Sequence, residues 1–238
     1  YLCGNTETCI RLPVPILYFI ATIFIFLSTR IITNNEIASS FSAIIFNLMP
    51  GITFSSFVTT TDVPLILFSS AFAFLFLIIY KKENPSYFYF LILGAIFFLG
   101  FLSKYAMAYL LISSFILIIS FKEVRKKILN FRGLIFVLTF FLLILPHFYW
   151  NFKNGFVTFN HTIQNANVRT LNLNLKEPFF FILAQFFVFG LYPLYFILQN
   201  SLKYKKLNNE SKILLIFFLT PIIIISILSI FSRANANW

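Results

Sequence analysis

Long apolar runs separated by short polar gaps organise the chain from end to end. Crossing about 30 Å of hydrocarbon takes roughly 20 apolar helical residues, within a range of about 17–25. On that measure the pattern predicts spans near Pro13–Ser28, Ile37–Phe57, Val63–Tyr80, Tyr87–Leu102, Tyr105–Phe121, Gly133–Trp150, Phe179–Leu198 and Ile213–Phe231. About eight transmembrane helices, several of them short, describe an all-α polytopic integral membrane protein. The longest polar connection, Asn151–Pro178, is rich in Asn and aromatic residues, and Ile163–Arg169 inside it predicts a short interfacial helix. No internal repeat or heptad is visible. The chain opens on Tyr1 rather than Met and stops at Trp238 just after an apolar run, so residues 1–238 read as part of one transmembrane domain of a longer protein.

Composition agrees with the pattern. Hydrophobic residues make up 60% and charged residues 11%, where a soluble domain carries about 25% charged. Mean hydropathy is +0.90. The net charge of +11 does not point to nucleic acid, because most Lys and Arg fall in short gaps between apolar runs. Alternation sorts those gaps into two sets. One contains Arg30, the Lys81-Lys82 pair, the run from Lys122 to Arg132 and the run from Lys203 to Lys212, and holds twice as many cations as the other. The positive-inside rule makes that set cytoplasmic and puts the loop before Val63 on the outer, periplasmic side of the inner membrane.

The outer set is where ionisable groups stand alone. Asp62, the only aspartate in the chain, precedes an apolar run in Thr61-Asp62-Val63-Pro64. It reads either as a helix cap, accepting backbone N–H groups at the positive end of the dipole, or as a catalytic or metal-binding carboxylate facing a cavity. Lys104 lies in a tight turn, Ser103-Lys104-Tyr105, and either snorkels to headgroups or offers a compact charge to a phosphate. His147, Trp150 and Asn151 form a third group, followed by His161. Trp150 fits an interfacial aromatic belt as well as a sugar-stacking wall. Arg11 is a weaker candidate, since Glu7 can pair with it. Cys3 and Cys9 lie on the same side, with pairing left open. No phosphate-binding Gly-rich loop, HExxH, GxSxG or Cys-x-x-Cys motif occurs.

Taken in order, these motifs resemble the dolichyl-phosphate-mannose–protein mannosyltransferase family, the polyprenol-dependent membrane glycosyltransferases of the GT-C class. The resembling residues are Gly4-Asn5-Thr6-Glu7 with Ile10-Arg11-Leu12-Pro13, then Thr61-Asp62-Val63-Pro64 and Leu102-Ser103-Lys104-Tyr105. Trp150-Asn151 with Asn154-Gly155-Phe156, then Phe159-x-His161, and finally Asn237-Trp238 complete the series. The resemblance implies a helical bundle with an outward-facing cavity. It implies transfer of a sugar from a polyprenyl-phosphate donor to a protein, lipid A or another envelope acceptor.

The same resemblance distributes roles. The family's main acidic motif, an Asp-Glu pair that supplies the base, belongs upstream of Tyr1. Asp62 then serves as a second acid, orienting a sugar or holding a divalent cation. Lys104 and Arg233 neutralise phosphate, and His161, Trp150, Asn151 and Asn237 line the substrate pocket. The rival reading is a transporter or flippase for lipid-linked sugars, which the absence of a repeat disfavours; a non-enzymatic scaffold is weaker still.

Overall fold

The computed structural model describes residues 6–166 and 176–231. Arg233 and Asn237 therefore lie outside the described residues, as do Cys3, Gly4, Asn5 and Arg169. Cys9 is disulfide-bonded.

In hydrocarbon each backbone group must find a partner within the protein, and the described residues are accordingly helical, without strands. A short α1 (Glu7–Arg11) runs into α2 (Pro13–Thr33), and the two pass for one membrane-length element. Asn34, in the left-handed region with φ 49°, stops α2, and Asn35 caps α3 (Glu36–Leu48) by accepting from the Ala38 N–H at 3.1 Å. The apolar stretch Ile37–Phe57 does not continue as one helix. Pro50 holds Met49 extended, so α3 ends there and α4 (Pro50–Ser55) starts anew.

The next helices are α5 (Asp62–Lys81) and α6 (Tyr87–Ser103), then a 3-10 turn (Tyr105–Met107) leading into α7 (Ala108–Ser120). A bend of 117° turns the chain into α8 (Lys122–Ile128) before α9 (Phe131–Lys153) and α10 (Val157–Ala166). The predicted connection Asn151–Pro178 is thus partly helical, with α10 starting well before the stretch expected to be an interfacial helix. Beyond it come α11 (Lys176–Phe189), α12 (Leu191–Leu202) and α13 (Asn209–Leu228). The apolar stretch Phe179–Leu198 is broken at Gly190, φ 82°, where α12 leaves α11 at 114°.

Among the described residues, four helices are long and apolar enough to cross a membrane alone, and six spans result if each bent pair counts as one. This is an all-α polytopic membrane protein. Tyr87–Ser103, at 17 residues, is apolar but short.

Helix α5 is the centre of the packing, flanked by α2, α6 and α13, while α9 lies along α6. Its Phe72 meets Phe97 of α6, Phe136 of α9 and Phe217 of α13, and Phe76 meets Phe217 edge-on at 5.0 Å. Each such aromatic pair adds roughly 0.5–1.5 kcal/mol beyond area burial. Hydroxyls buried in the bundle satisfy themselves locally, as Ser28 does on the Phe24 carbonyl at 2.7 Å and Ser113 on that of Tyr109 at 2.9 Å. Polar contacts also tie α2 to α3, through Thr29–Ser42 at 2.8 Å and Asn47–Thr22 at 3.0 Å.

The α6–α9 seam sets the shape of one end of the bundle, and Gly94 lets it close. A Cβ there would lie 2.8 Å from the Phe136 carbonyl oxygen and 2.9 Å from Thr139 Cβ. Gly94→Val is expected to destabilise the protein by about 1–3 kcal/mol through overpacking. The check is the melting temperature of the purified protein, which falls if the seam is as tight as the distances say.

Candidate functional site

Asp62 is the first residue of α5, and Lys104 terminates α6 in an extended conformation (φ −159°, ψ 134°). The antiparallel packing of α5 and α6 puts a helix start beside a helix end, and Lys104 Nζ donates to Asp62 Oδ1 at 2.7 Å. The carboxylate of Asp62 is engaged by this ammonium rather than by the amides of its own helix. Lys104 is the more enclosed partner, with 18% of its side chain exposed against 38% for Asp62. That separates it from a lysine that snorkels into water.

The pair lies in the wall of a cavity of about 990 Å³. Hydroxyls dominate its polar lining: Thr60, Thr61, Ser103, Tyr109, Thr158 and Thr162, joined by the imidazoles of His147 and His161. Phe101, Leu102 and Tyr105 supply the apolar part. The Thr60 hydroxyl oxygen is buried without a hydrogen-bond partner. A charged pair among hydroxyls and aromatic faces suits a polyhydroxylated ligand carrying a negative group.

Behind Lys104 the next residue is locked in place. Tyr105 stacks on Phe159 of α10, centroids 5.1 Å apart and planes at 16°, and touches Phe101 at 4.9 Å. Its hydroxyl lies 2.9 Å from His147 Nε2 and 2.7 Å from Thr158 Oγ1. Thr158 in turn bonds Asn151 Oδ1, and Asn151 Nδ2 bonds the His147 carbonyl at 3.1 Å.

The donor inventory orients this set. An amide oxygen only accepts, so Thr158 donates to Asn151 and must accept from Tyr105. His147 Nε2 faces both the Tyr105 hydroxyl at 2.9 Å and the Asn151 Nδ2 at 3.1 Å, and Asn151 Nδ2 closes the ring on the His147 carbonyl. Asn151 is fully buried inside this ring, where an unmet amide would cost about 1–3 kcal/mol.

The sequence-derived candidates divide accordingly. Asp62, Lys104 and His161 meet at one cavity. Asn151 stands behind its wall as a bracing group rather than on its surface. Trp150 does not line the cavity: it is half exposed, about 100° around α9 from Asn151. Arg11 pairs with Glu7 at 2.7 Å and donates to the Phe57 carbonyl at 3.0 Å. His147, noted in the sequence as an isolated polar group but given no role, lines the cavity and enters the ring with Tyr105 and Thr158. The four-residue spacing of His147 and Asn151 marks one helix face. Nothing local marks Thr158. No three His, Cys, Asp or Glu side chains come together among the described residues. Asp62, already held by an ammonium, lacks the companions for a cation site there, and no step below is routed through a metal.

A family profile described as dolichyl-phosphate-mannose-protein mannosyltransferase matches residues 1–150. The chain belongs to this family. The matched residues run from α1 through most of α9 and include Asp62, Lys104, Tyr105 and His147. Across nearly its whole length, 99%, the chain is also similar to the lipid A galacturonosyltransferase RgtD of Rhizobium johnstonii, 24% identical over 239 residues. It covers 49% of that protein, so it spans about half the length of the curated relative it matches. No solved structure matches the chain.

Proposed function

We propose that this mannosyltransferase-family chain forms the lipid-phosphate half of a membrane glycosyltransferase. It moves a sugar from a polyprenyl-phosphate donor to a hydroxyl of an envelope glycolipid such as lipid A, on the periplasmic face of the inner membrane. The observation that carries the reading is the Asp62–Lys104 pair in the hydroxyl-lined cavity. Family membership and the likeness to a lipid A galacturonosyltransferase support it.

The chemistry follows from the groups. The acceptor hydroxyl attacks the anomeric carbon and loses its proton to a carboxylate base. The bond from that carbon to the phosphate oxygen breaks, and the polyprenyl phosphate leaves with an added negative charge. Lys104 meets that charge in a partly enclosed site, where its stabilisation counts for more than in water. When the donor phosphate takes over Lys104, Asp62 is released to accept hydrogen bonds from a sugar hydroxyl. In this scheme the base is an acidic residue of the longer protein, upstream of this chain.

The decisive measurement uses the full-length protein in proteoliposomes with a radiolabelled polyprenyl-phosphate sugar and lipid A. Label passing to lipid A supports the reading. Label that stays on the polyprenol but changes leaflet supports a flippase instead. One feature favours that second reading: the break at Met49-Pro50 abuts the break at Gly190, with Pro50 3.5 Å from a Cβ built on Gly190, and paired broken helices are common in transporters. Label that stays on the polyprenol in its original leaflet rules out both.

The ring behind Lys104 gives a further expectation. Tyr105→Phe keeps the stack on Phe159 but removes the hydroxyl shared by His147 and Thr158. Transfer is expected to fall about tenfold, from the roughly 1–3 kcal/mol penalty of unmet buried groups. Thr158→Ser, which retains a hydroxyl, should transfer nearly normally. If the two variants behave alike, the ring does not position Lys104.

A further inference from the structure

A second cavity, of about 540 Å³, opens at the end of the bundle opposite Asp62. Glu83 and Asn84, just beyond the end of α5, form one side. Helix α8 contributes Glu123, Lys126 and Lys127, and Arg132 enters from the start of α9. We infer that this cavity is a binding site for the head group of a bilayer phospholipid bearing both a phosphate and a primary ammonium, as in phosphoethanolamine lipids.

Three observations converge. The helix that frames the site is anchored. Helix α8 turns across the bundle end, with Val124 buried and Ile128 packed on the core. Gly133 lets α8 press onto α9, since a Cβ there would lie 1.8 Å from the Ile128 carbonyl oxygen. Tyr80 donates to Glu123 Oε2 at 2.8 Å, and Lys127 bonds the Tyr80 carbonyl. The helix that carries these side chains is therefore anchored to the core, while most of the lining side chains are exposed and free to meet a ligand.

Its charges are of both signs and partly unspent. Among the described residues Lys126, Arg132 and Glu83 enter no ion pair, unlike Lys81, which pairs with Glu210 at 2.7 Å. Three cations and two carboxylates around one hollow suit a ligand with a phosphate at one point and an ammonium at another. A plain anion would face Glu83 and Glu123, and a quaternary ammonium offers those carboxylates no N–H.

The rim carries the exposed aromatic rings that favour the head-group level of a bilayer. Tyr87 and Phe131 pack edge-to-face at 6.3 Å, and both are largely exposed. Arg132 lies 5.6 Å from the Tyr87 ring centroid. Interfacial aromatics beside an in-plane basic helix are the arrangement that holds a protein at the head-group level. A lipid whose phosphate sits on Arg132 and Lys126 would keep its chains outside, over Phe131 and Leu129. This inference does not depend on the transfer reaction proposed above.

The test is native mass spectrometry of the full-length protein, released from nanodiscs of equimolar dioleoyl phosphatidylethanolamine, phosphatidylcholine and phosphatidylglycerol. Retained phosphatidylethanolamine is expected to exceed phosphatidylcholine at least about fivefold, the scale of one charge-assisted hydrogen bond. Glu83→Gln should bring the two towards parity, and Lys126→Ala or Arg132→Ala should lower retention of both. Lys126 is exposed on α8 and its loss spares the fold. Equal retention by the unmodified protein, preference for phosphatidylglycerol, or indifference to both cation variants would overturn the inference. Displacement of the lipid by millimolar inorganic phosphate would also overturn it, by reducing the site to a phosphate site.

Discussion

Asp62→Asn in the full-length protein will abolish sugar transfer, lowering turnover by about a hundredfold or more, while leaving membrane insertion and folding intact. The size follows from the proposed task of Asp62, orienting the sugar, since misplacing a bound reactant by about 1 Å can cost about a hundredfold. The substitution keeps the shape of the side chain and removes its charge. Lys104, only 18% exposed, then faces an amide in place of a carboxylate. Breaking a partly buried pair costs stability as well, but this cavity of about 990 Å³ admits solvent, so the structural loss stays below the catalytic one. The measurement is single-turnover transfer beside a thermal melt. Transfer surviving with an unchanged melt would return Asp62 to the role of a helix-end residue.

Lys104→Ala is the second large effect. Among the described residues the ammonium is the cation that lines the cavity, and its proposed task is to meet phosphate charge that grows as the sugar leaves. A contact present in the ground state and stronger in the transition state raises KM for the donor and lowers kcat together. A rise in donor KM of about tenfold and a fall in kcat of about a hundredfold are expected, on the scale of losing one donor to a developing oxyanion. Lys104→Arg should recover only part of this, because a planar fork replaces a point charge in a site shaped by Asp62 and the neighbouring Tyr105. The double variant Asp62→Asn with Lys104→Ala should fall short of the product of the single losses, since the two side chains touch at 2.7 Å. Unchanged donor saturation and turnover in Lys104→Ala would remove the lysine from the site.

Much of this molecule was legible in one dimension. Hydropathy is a local property, and the apolar stretches at Val63–Tyr80, Gly133–Trp150 and Ile213–Phe231 became the helices Asp62–Lys81, Phe131–Lys153 and Asn209–Leu228 with small changes at their ends. Where hydropathy misled, a backbone residue was responsible. Met49-Pro50 splits one apolar run and Gly190 bends another, because a missing N–H and a positive φ act on geometry without lowering apolarity. The short polar motifs also stood out from sequence, since an isolated aspartate or lysine between apolar runs is conspicuous wherever the fold puts it.

Sequence by itself therefore determined the class of the protein, the approximate helices and the isolation of Asp62, Lys104 and His161 from the solvated charge runs. Only the tertiary structure decided that Asp62 is paired with Lys104, 42 residues away, instead of capping its own helix. It alone brought Tyr105 to His147 and to Thr158, 42 and 53 residues on, and turned Trp150 outward while burying Asn151. The physical reason is that periodicity and hydropathy record how each segment meets lipid or its own backbone. Which ends of α5, α6, α9 and α10 adjoin is set by ring packing around Phe72 and Phe97 and by the close approach at Gly94, and those contacts join distant segments.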